Sequence, residues 1–254
     1  MDRTGRFTTL AGGISIGSEK ITAGTLSGVF VDLTDGKEVL VSNLHVFEGE
    51  PGKTAILQPG RHPDGGRKPD DVVGVLKRYV PFREAKPPLW RRIICALFGW
   101  LLGDWCLSSL EPNLVDVACA EFWSYGYREL AKGVYLDDGR ILYPGKTHPG
   151  DDIDGARVWK SGRTTGVTVG TVLSDSVTLK VWYGDRFLVF GDQILVEGVS
   201  SHGDSGSPVF LMSGDSPGPG DALVGILFAG SGGFYVACKW KWIRELLKVE
   251  WLRE

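Results

Sequence analysis

The chain has 254 residues, 43% of them hydrophobic, with 36 glycines, enough to bury a sizeable core in one all-β unit. Its 28 basic and 31 acidic residues leave a net charge of −3 and no block of one sign, which argues against a nucleic-acid-binding surface. The start, Met1-Asp2-Arg3-Thr4-Gly5-Arg6, lacks the long apolar stretch of a secretory signal, so a cytoplasmic location is expected.

Residues 22–47 read as two strands around the Asp35-Gly36 turn, since Val29 and Val31, then Val39 and Val41, follow an alternating pattern. A Gly-, Pro- and Asp-rich stretch at 58–71 reads as a loop and 72–80 as the next strand. The chain reads as strand again around Asp116, in Leu114-Val115-Asp116-Val117-Ala118, and 124–155 reads as a connection rich in Asp, Gly and Pro. Further strands are expected near 166–173, 176–183, 186–196, 207–212 and 222–229. A helix is expected over 239–252, where Trp242, Leu246, Val249 and Leu252 recur at helical spacing.

Residues 89–103 stand apart. The uncharged core of this apolar segment, 93–103, would span only about 16 Å as a helix, too short for a bilayer core of about 30 Å. Three readings stay open: burial against the rest of the chain, a homo-oligomer contact through 89–107, or a peripheral membrane anchor with Arg91 and Arg92 at its edge.

Gly203-Asp204-Ser205-Gly206-Ser207-Pro208-Val209 is the most informative stretch. A serine hydroxyl is a weak nucleophile at neutral pH and needs a base, plus donors for the oxyanion that forms on attack. Glycines around Ser205 allow a tight turn that brings backbone N–H groups to one point. The base is expected at His45, in Leu40-Val41-Ser42-Asn43-Leu44-His45-Val46, since imidazole takes up and returns a proton near neutral pH. The orienting carboxylate is expected at Asp116, which sits among apolar neighbours and needs a partner; Asp104 is its rival.

The order His45, Asp116, Ser205 resembles that of the trypsin/chymotrypsin-like serine peptidases. Leu223-Val224-Gly225-Ile226-Leu227-Phe228-Ala229-Gly230 is similar to the strand that lines their substrate pocket. A narrower resemblance, to bacterial and plant Narrow-leaf-type trypsin-like proteins, rests on three pieces. They are Gly24-Thr25-Leu26-Ser27-Gly28, Ile56-Leu57-Gln58-Pro59-Gly60 and Lys160-Ser161-Gly162-Arg163-Thr164-Thr165-Gly166-Val167-Thr168-Val169-Gly170. These matches span most of 11–236 and leave 86–110 unmatched.

The resemblance implies an all-β, chymotrypsin-like double β-barrel, to which the sequence pattern adds a C-terminal helix and, in departure from the family, an apolar insertion in the first half. It divides the chain into a first barrel at 1–123 with the insertion at 86–110, a connection at 124–155, and a second barrel with the terminal helix at 156–254. It implies catalytic His45, Asp116 and Ser205, and an oxyanion hole on the backbone N–H groups of Gly203 and Ser205. It also implies a substrate pocket of Val199, Phe228, Ala229 and Gly230. Val199 stands where relatives that select Arg or Lys carry an aspartate, so an uncharged pocket is expected. Phe228 replaces the serine usual in trypsins and removes a hydroxyl commonly near the triad aspartate.

In zymogen-activated relatives the residue matching Asp204 pairs with a released N-terminal amine. No activation site precedes Gly12-Gly13-Ile14-Ser15, so Asp204 is expected to find a donor inside the chain. Arg163 is open between a substrate contact and a structural residue, with its flanking glycine turn favouring structure. Cys119 and Cys238 sit in apolar runs and read as buried free thiols, whereas Cys95 and Cys106 are close enough in sequence to bridge a small loop.

The expected function is a serine endopeptidase acting through an acyl-enzyme on Ser205, with a protein or peptide substrate and no metal or cofactor. The alternative is a catalytically weak scaffold that binds peptides or serves assembly. Esterase activity would use the same machinery.

Overall fold

The computed structural model describes residues 1–83, 94, 111–123, 128–184, 186–231 and 233–251. The apolar segment, Asp104, Cys95, Cys106, Gly232 and Leu252 lie outside the described residues, apart from Ile94.

Two large sheets form the framework. The first runs in the order Val249–Trp251, Gly28–Asp32, Glu38–Ser42, Ala118–Phe122, Val72–Tyr79, Ala55–Leu57, Ser15–Ser18, Gly24–Thr25. The second runs Lys146–Thr147, Ala222–Ser231, Pro208–Leu211, Arg157–Gly162, Gly166–Tyr183, Arg186–Glu197, Phe234–Lys239. Phe234–Lys239 pairs back onto Ala222–Ser231 from Gly225↔Lys239 to Ser231↔Phe234, which closes six of these strands into a barrel and removes their edges. A small third sheet joins Thr9–Gly12 in parallel to Glu129–Tyr135, with Ile141–Leu142 alongside. The stretch read as a connection therefore carries strands of its own.

Three apolar clusters explain why these strands are so densely hydrophobic. One fills the first sheet, with Leu26, Val29, Leu40, Ile56 and Leu76. A second fills the second barrel, with Val158, Val172, Ile194, Val209 and Val224. The third bridges the two, with Phe30, Val41 and Val117 meeting Trp159, Phe190, Phe210 and Phe228. Val39, Leu40 and Val41 have no exposed surface at all. Alternation here separates two cores rather than core from water.

Two expectations need correction. The strands expected at 166–173 and 176–183 are one strand, Gly166–Tyr183, whose register against Arg186–Glu197 shifts between Val172 and Leu179. The polar run Ser174-Asp175-Ser176 marks irregular pairing, not a turn. The helix expected over 239–252 spans only Trp240–Leu247, because Lys248 adopts the left-handed conformation at φ 59°. Its buried residues are Trp240, Ile243 and Leu247, while Leu246 is exposed and Val249 belongs to a strand. That last strand pairs with Gly28–Asp32, so the end of the chain returns to the first sheet. A Cβ at Gly28 would lie 2.7 Å from the Trp251 ring, and the missing side chain makes room for the indole. Trp251 also donates to the Pro144 carbonyl at 2.8 Å.

Among the described residues, no helix is long and apolar enough to cross a membrane. Cys119 and Cys238 are free and buried, and burial pushes the Cys119 thiol up to about 11.

Candidate active site

Strand Glu38–Ser42 ends at Asn43, whose extended backbone turns the chain into the one-turn helix Leu44–Phe47. Leu44, Val46 and Phe47 are buried, which leaves His45 half-buried. Asp116 lies just before strand Ala118–Phe122, between the buried Val115 and Val117, and has no exposed surface.

Burial of a carboxylate requires donors, and Asp116 has them. Its Oδ1 accepts the Leu44 N–H at 2.7 Å and the His45 N–H at 3.3 Å. Its Oδ2 lies 2.5 Å from His45 Nδ1 and accepts the Tyr183 hydroxyl at 2.6 Å. Asn43 Nδ2 donates to the Asp116 carbonyl at 2.7 Å, fixing the backbone as well.

Ser205 lies on the loop before strand Pro208–Leu211. Gly203 and Gly206 both take positive φ, 95° and 96°, a conformation costly for residues with a Cβ. A Cβ on Gly206 would also sit 2.0 Å from the Thr25 carbonyl oxygen. The segment Gly24-Thr25-Leu26-Ser27-Gly28 grips this loop. The Thr25 N–H donates to the Ser205 carbonyl at 2.7 Å, Thr25 Oγ1 to the Gly203 carbonyl at 2.8 Å, and Ser27 Oγ to the Gly206 carbonyl at 2.7 Å. Among the described residues, the N–H groups of Gly203 and Ser205 have no acceptor within the chain.

Asp204, fully buried, finds its donors inside the chain. The N–H groups of Thr164 and Thr165 reach Oδ1 at 2.9 and 3.1 Å, while Thr165 Oγ1 and the Ser201 N–H reach Oδ2 at 2.7 and 3.0 Å. Lys160 Nζ adds a positive charge at 3.4 Å. Desolvation pushes the Lys160 ammonium below its ordinary range, with the Asp204 charge opposing.

A cleft of about 1010 Å³ brings His45 and Ser205 to one wall system. The first sheet and its loops contribute Leu44, Glu48 and Tyr79; the second contributes Trp182, Tyr183 and Phe228. Of the expected pocket residues, Phe228, Ala229 and Gly230 line this cleft, together with Ser200, Ser201 and Leu227. Val199 is not among the residues that line it. Its side chain is 59% exposed, its carbonyl accepts Thr168 Oγ1, and the preceding Gly198 N–H bonds to the Gly233 carbonyl at 2.8 Å.

Arg163 is spoken for. Its Nε donates to Asp64 Oδ2 at 2.6 Å, its Nη2 pairs with the other carboxylate oxygen, and its N–H donates to Thr25 Oγ1 at 3.0 Å. With the two side chains 9% and 3% exposed, the pair ties the second barrel to a loop of the first.

Sequence reasoning missed Tyr183. It ends a strand whose tip reaches Asp116 across 67 positions, and no local pattern encodes such a contact. Among the described residues, no group of three His, Cys, Asp or Glu side chains is arranged to hold a metal ion.

The solved structures to which this chain is similar are chymotrypsin-like serine proteases. Thermobifida fusca Protease A is 15% identical with a TM-score of 0.62, and Cellulomonas bogoriensis chymotrypsin 14% with 0.61; each match covers 97% of this chain and 100% of that one. Nocardiopsis Protease is 16% identical with a TM-score of 0.62 over the same shares. No protein-family model and no curated protein matches the chain. At these identities the likeness shows the fold: an all-β, chymotrypsin-like double β-barrel.

Proposed function

We propose that this chain is a serine endopeptidase that cleaves peptide bonds through an acyl-enzyme on Ser205. The observation that carries the reading is the 2.5 Å contact between His45 Nδ1 and a fully buried Asp116, in a cleft that Ser205 shares. Asp116 holds the imidazole with Nδ1 protonated, so Nε2 is the basic nitrogen. His45 takes the Ser205 hydroxyl proton as Oγ attacks the peptide carbonyl. The oxyanion that forms is received by the N–H groups of Gly203 and Ser205, donors worth roughly 2.7–4 kcal/mol each to the barrier. His45 then protonates the leaving amine, the C–N bond breaks, and a water repeats the sequence to release the acid.

The division of labour follows the barrels. Residues 1–123 supply base and carboxylate, 156–254 supply the nucleophile, and 124–155 connect them. The primary pocket is the uncharged wall of Ser200, Ser201 and Leu227 to Gly230. The narrower, Narrow-leaf-type resemblance rests on its three sequence motifs alone, two of which brace the Ser205 loop through Thr25, Ser27, Thr164 and Thr165. Lys160 and its neighbours satisfy Asp204, so the loop assembles without a released amine.

A fluorophosphonate probe tests this. Wild-type protein labels, and Ser205→Ala and His45→Ala do not. Folded wild type that resists the probe would instead favour a peptide-binding scaffold.

A further inference from the structure

The hydroxyl of Tyr183 donates to the same Asp116 oxygen that contacts His45, at 2.6 Å beside 2.5 Å. The Tyr183 ring is fixed on several sides. It packs edge-on to His45 with centroids 5.7 Å apart, against Phe82 at 5.1 Å, and in a stack with Phe190 at 5.9 Å. Burial pushes its phenol well above the ordinary range, and the Asp116 charge pushes it the same way, so it stays a neutral donor at working pH. Phe228, where trypsins place a serine hydroxyl, turns its ring onto Phe190 at 4.6 Å instead and offers Asp116 nothing.

Tyr183 also belongs to a wall of the cleft. It pairs with Arg186 at the end of the long hairpin, and Val181, Trp182, Gly184 and Arg186 line the same cleft. One side chain therefore joins the substrate-facing hairpin to the carboxylate behind the base.

Resting on the peptidase reading, we propose that Tyr183 is a positioning residue: its hydroxyl fixes the Asp116 carboxylate against His45 and ties that geometry to the hairpin wall. The bond does two things. It stops the carboxylate from rotating away from the imidazole, and it draws charge from Oδ2, which tempers how tightly Asp116 holds the imidazolium. The remaining charged or titratable groups around the cleft are Lys20, Glu48, Glu50, Tyr79, Arg186 and His202, and Cys238 Sγ accepts the Asp116 N–H at 3.2 Å. None of these changes when the one hydroxyl is removed.

Tyr183→Phe isolates the hydroxyl. The expected result is a fall in kcat of about tenfold, an unchanged KM, and an acid limb of kcat/KM moved to higher pH because the imidazolium persists longer. A purely structural tyrosine would lower thermal stability and leave the acid limb where it was, and that result overturns the proposal. Should Tyr183→Phe fail to fold, 3-fluorotyrosine placed at this one position makes the phenol more acidic and the bond stronger. The acid limb then moves to lower pH, and an unmoved limb counts against the proposal. The downfield proton resonance of His45 Nδ1 separates this proposal from the peptidase reading. It moves further downfield in Tyr183→Phe at low pH whether or not the protein turns over, and an unmoved signal refutes the shared bond. Failure of the peptidase reading shows separately, as wild type that is not labelled at Ser205.

Discussion

Lys160 Nζ lies 3.4 Å from the Asp204 carboxylate, and neither side chain has any exposed surface. Removing one partner of such a pair strands a charge in the interior. Lys160→Met should destabilise the fold by about 3–5 kcal/mol in urea unfolding. Fluorophosphonate labelling should fall with it, since Asp204 precedes Ser205 directly. Full stability together with full labelling in this variant would show that the hydrogen bonds to Asp204 suffice without the charge.

Arg163 and Asp64 make the corresponding pair between the barrels. Arg163→Ala should cost about 3 kcal/mol in stability and leave the cleavage preference of the surviving enzyme unaltered. A variant of normal stability with a changed preference would make Arg163 a substrate contact after all.

The turn at Ser205 is sterically closed. At Gly206, φ is 96° and a Cβ would sit 2.0 Å from the Thr25 carbonyl oxygen. Gly206→Ala must therefore shift the loop or the Thr25 strand, and loss of labelling is expected well before global unfolding. Labelling at the wild-type rate would mean that the loop tolerates the shift.

Much of this site was legible because its short-range requirements are written locally. Gly203 and Gly206 announce a tight turn, and the apolar neighbours of Asp116 announce a buried charge. The motifs around Thr25 and Thr164 were visible as patterns, but their purpose was not: they brace the Ser205 loop from distant parts of the chain. Tyr183 was illegible for the same reason, since a contact spanning 67 positions leaves no local periodicity. The end of the chain misled in another way. The buried stripe of the helix is Trp240, Ile243 and Leu247, not the expected Trp242 and Leu246, and Val249 and Leu252 continued the apolar count past a left-handed Lys248, where pattern alone cannot see the change of backbone.

Acid should weaken the fold through two carboxylates. Burial opposes the charge on Asp32, but bonds from Arg78, Lys77 and Thr34 win and hold its carboxyl far below the usual range. Asp192 is likewise opposed by burial and lowered to about 2 by Lys239, Trp242 and Lys241. Because both groups have a lower pKa folded than unfolded, their stabilisation is complete above the unfolded value of about 3.9 and is lost as pH falls below it. Tm should drop steeply between about pH 4 and pH 2, and Asp32→Asn should flatten that drop while lowering Tm at neutral pH. An unchanged acid slope in the variant would remove Asp32 from the account.

The cleft wall of Ser200, Ser201, Leu227, Phe228, Ala229 and Gly230 carries no charge. A peptide library should show cleavage after small or apolar residues, and little after Arg or Lys. A strong preference for basic residues would place a carboxylate in the pocket that this wall does not contain.

The most direct measurement is acid-quenched mass spectrometry of the protein during turnover of an activated ester or a good peptide. The peptide containing Ser205 should gain the mass of the acyl group in wild type and not in Ser205→Ala, with the adduct decaying as product appears. Hydrolysis that proceeds without any adduct on Ser205, or equally well in Ser205→Ala, would contradict the convergence of His45, Asp116 and Ser205 on one reaction.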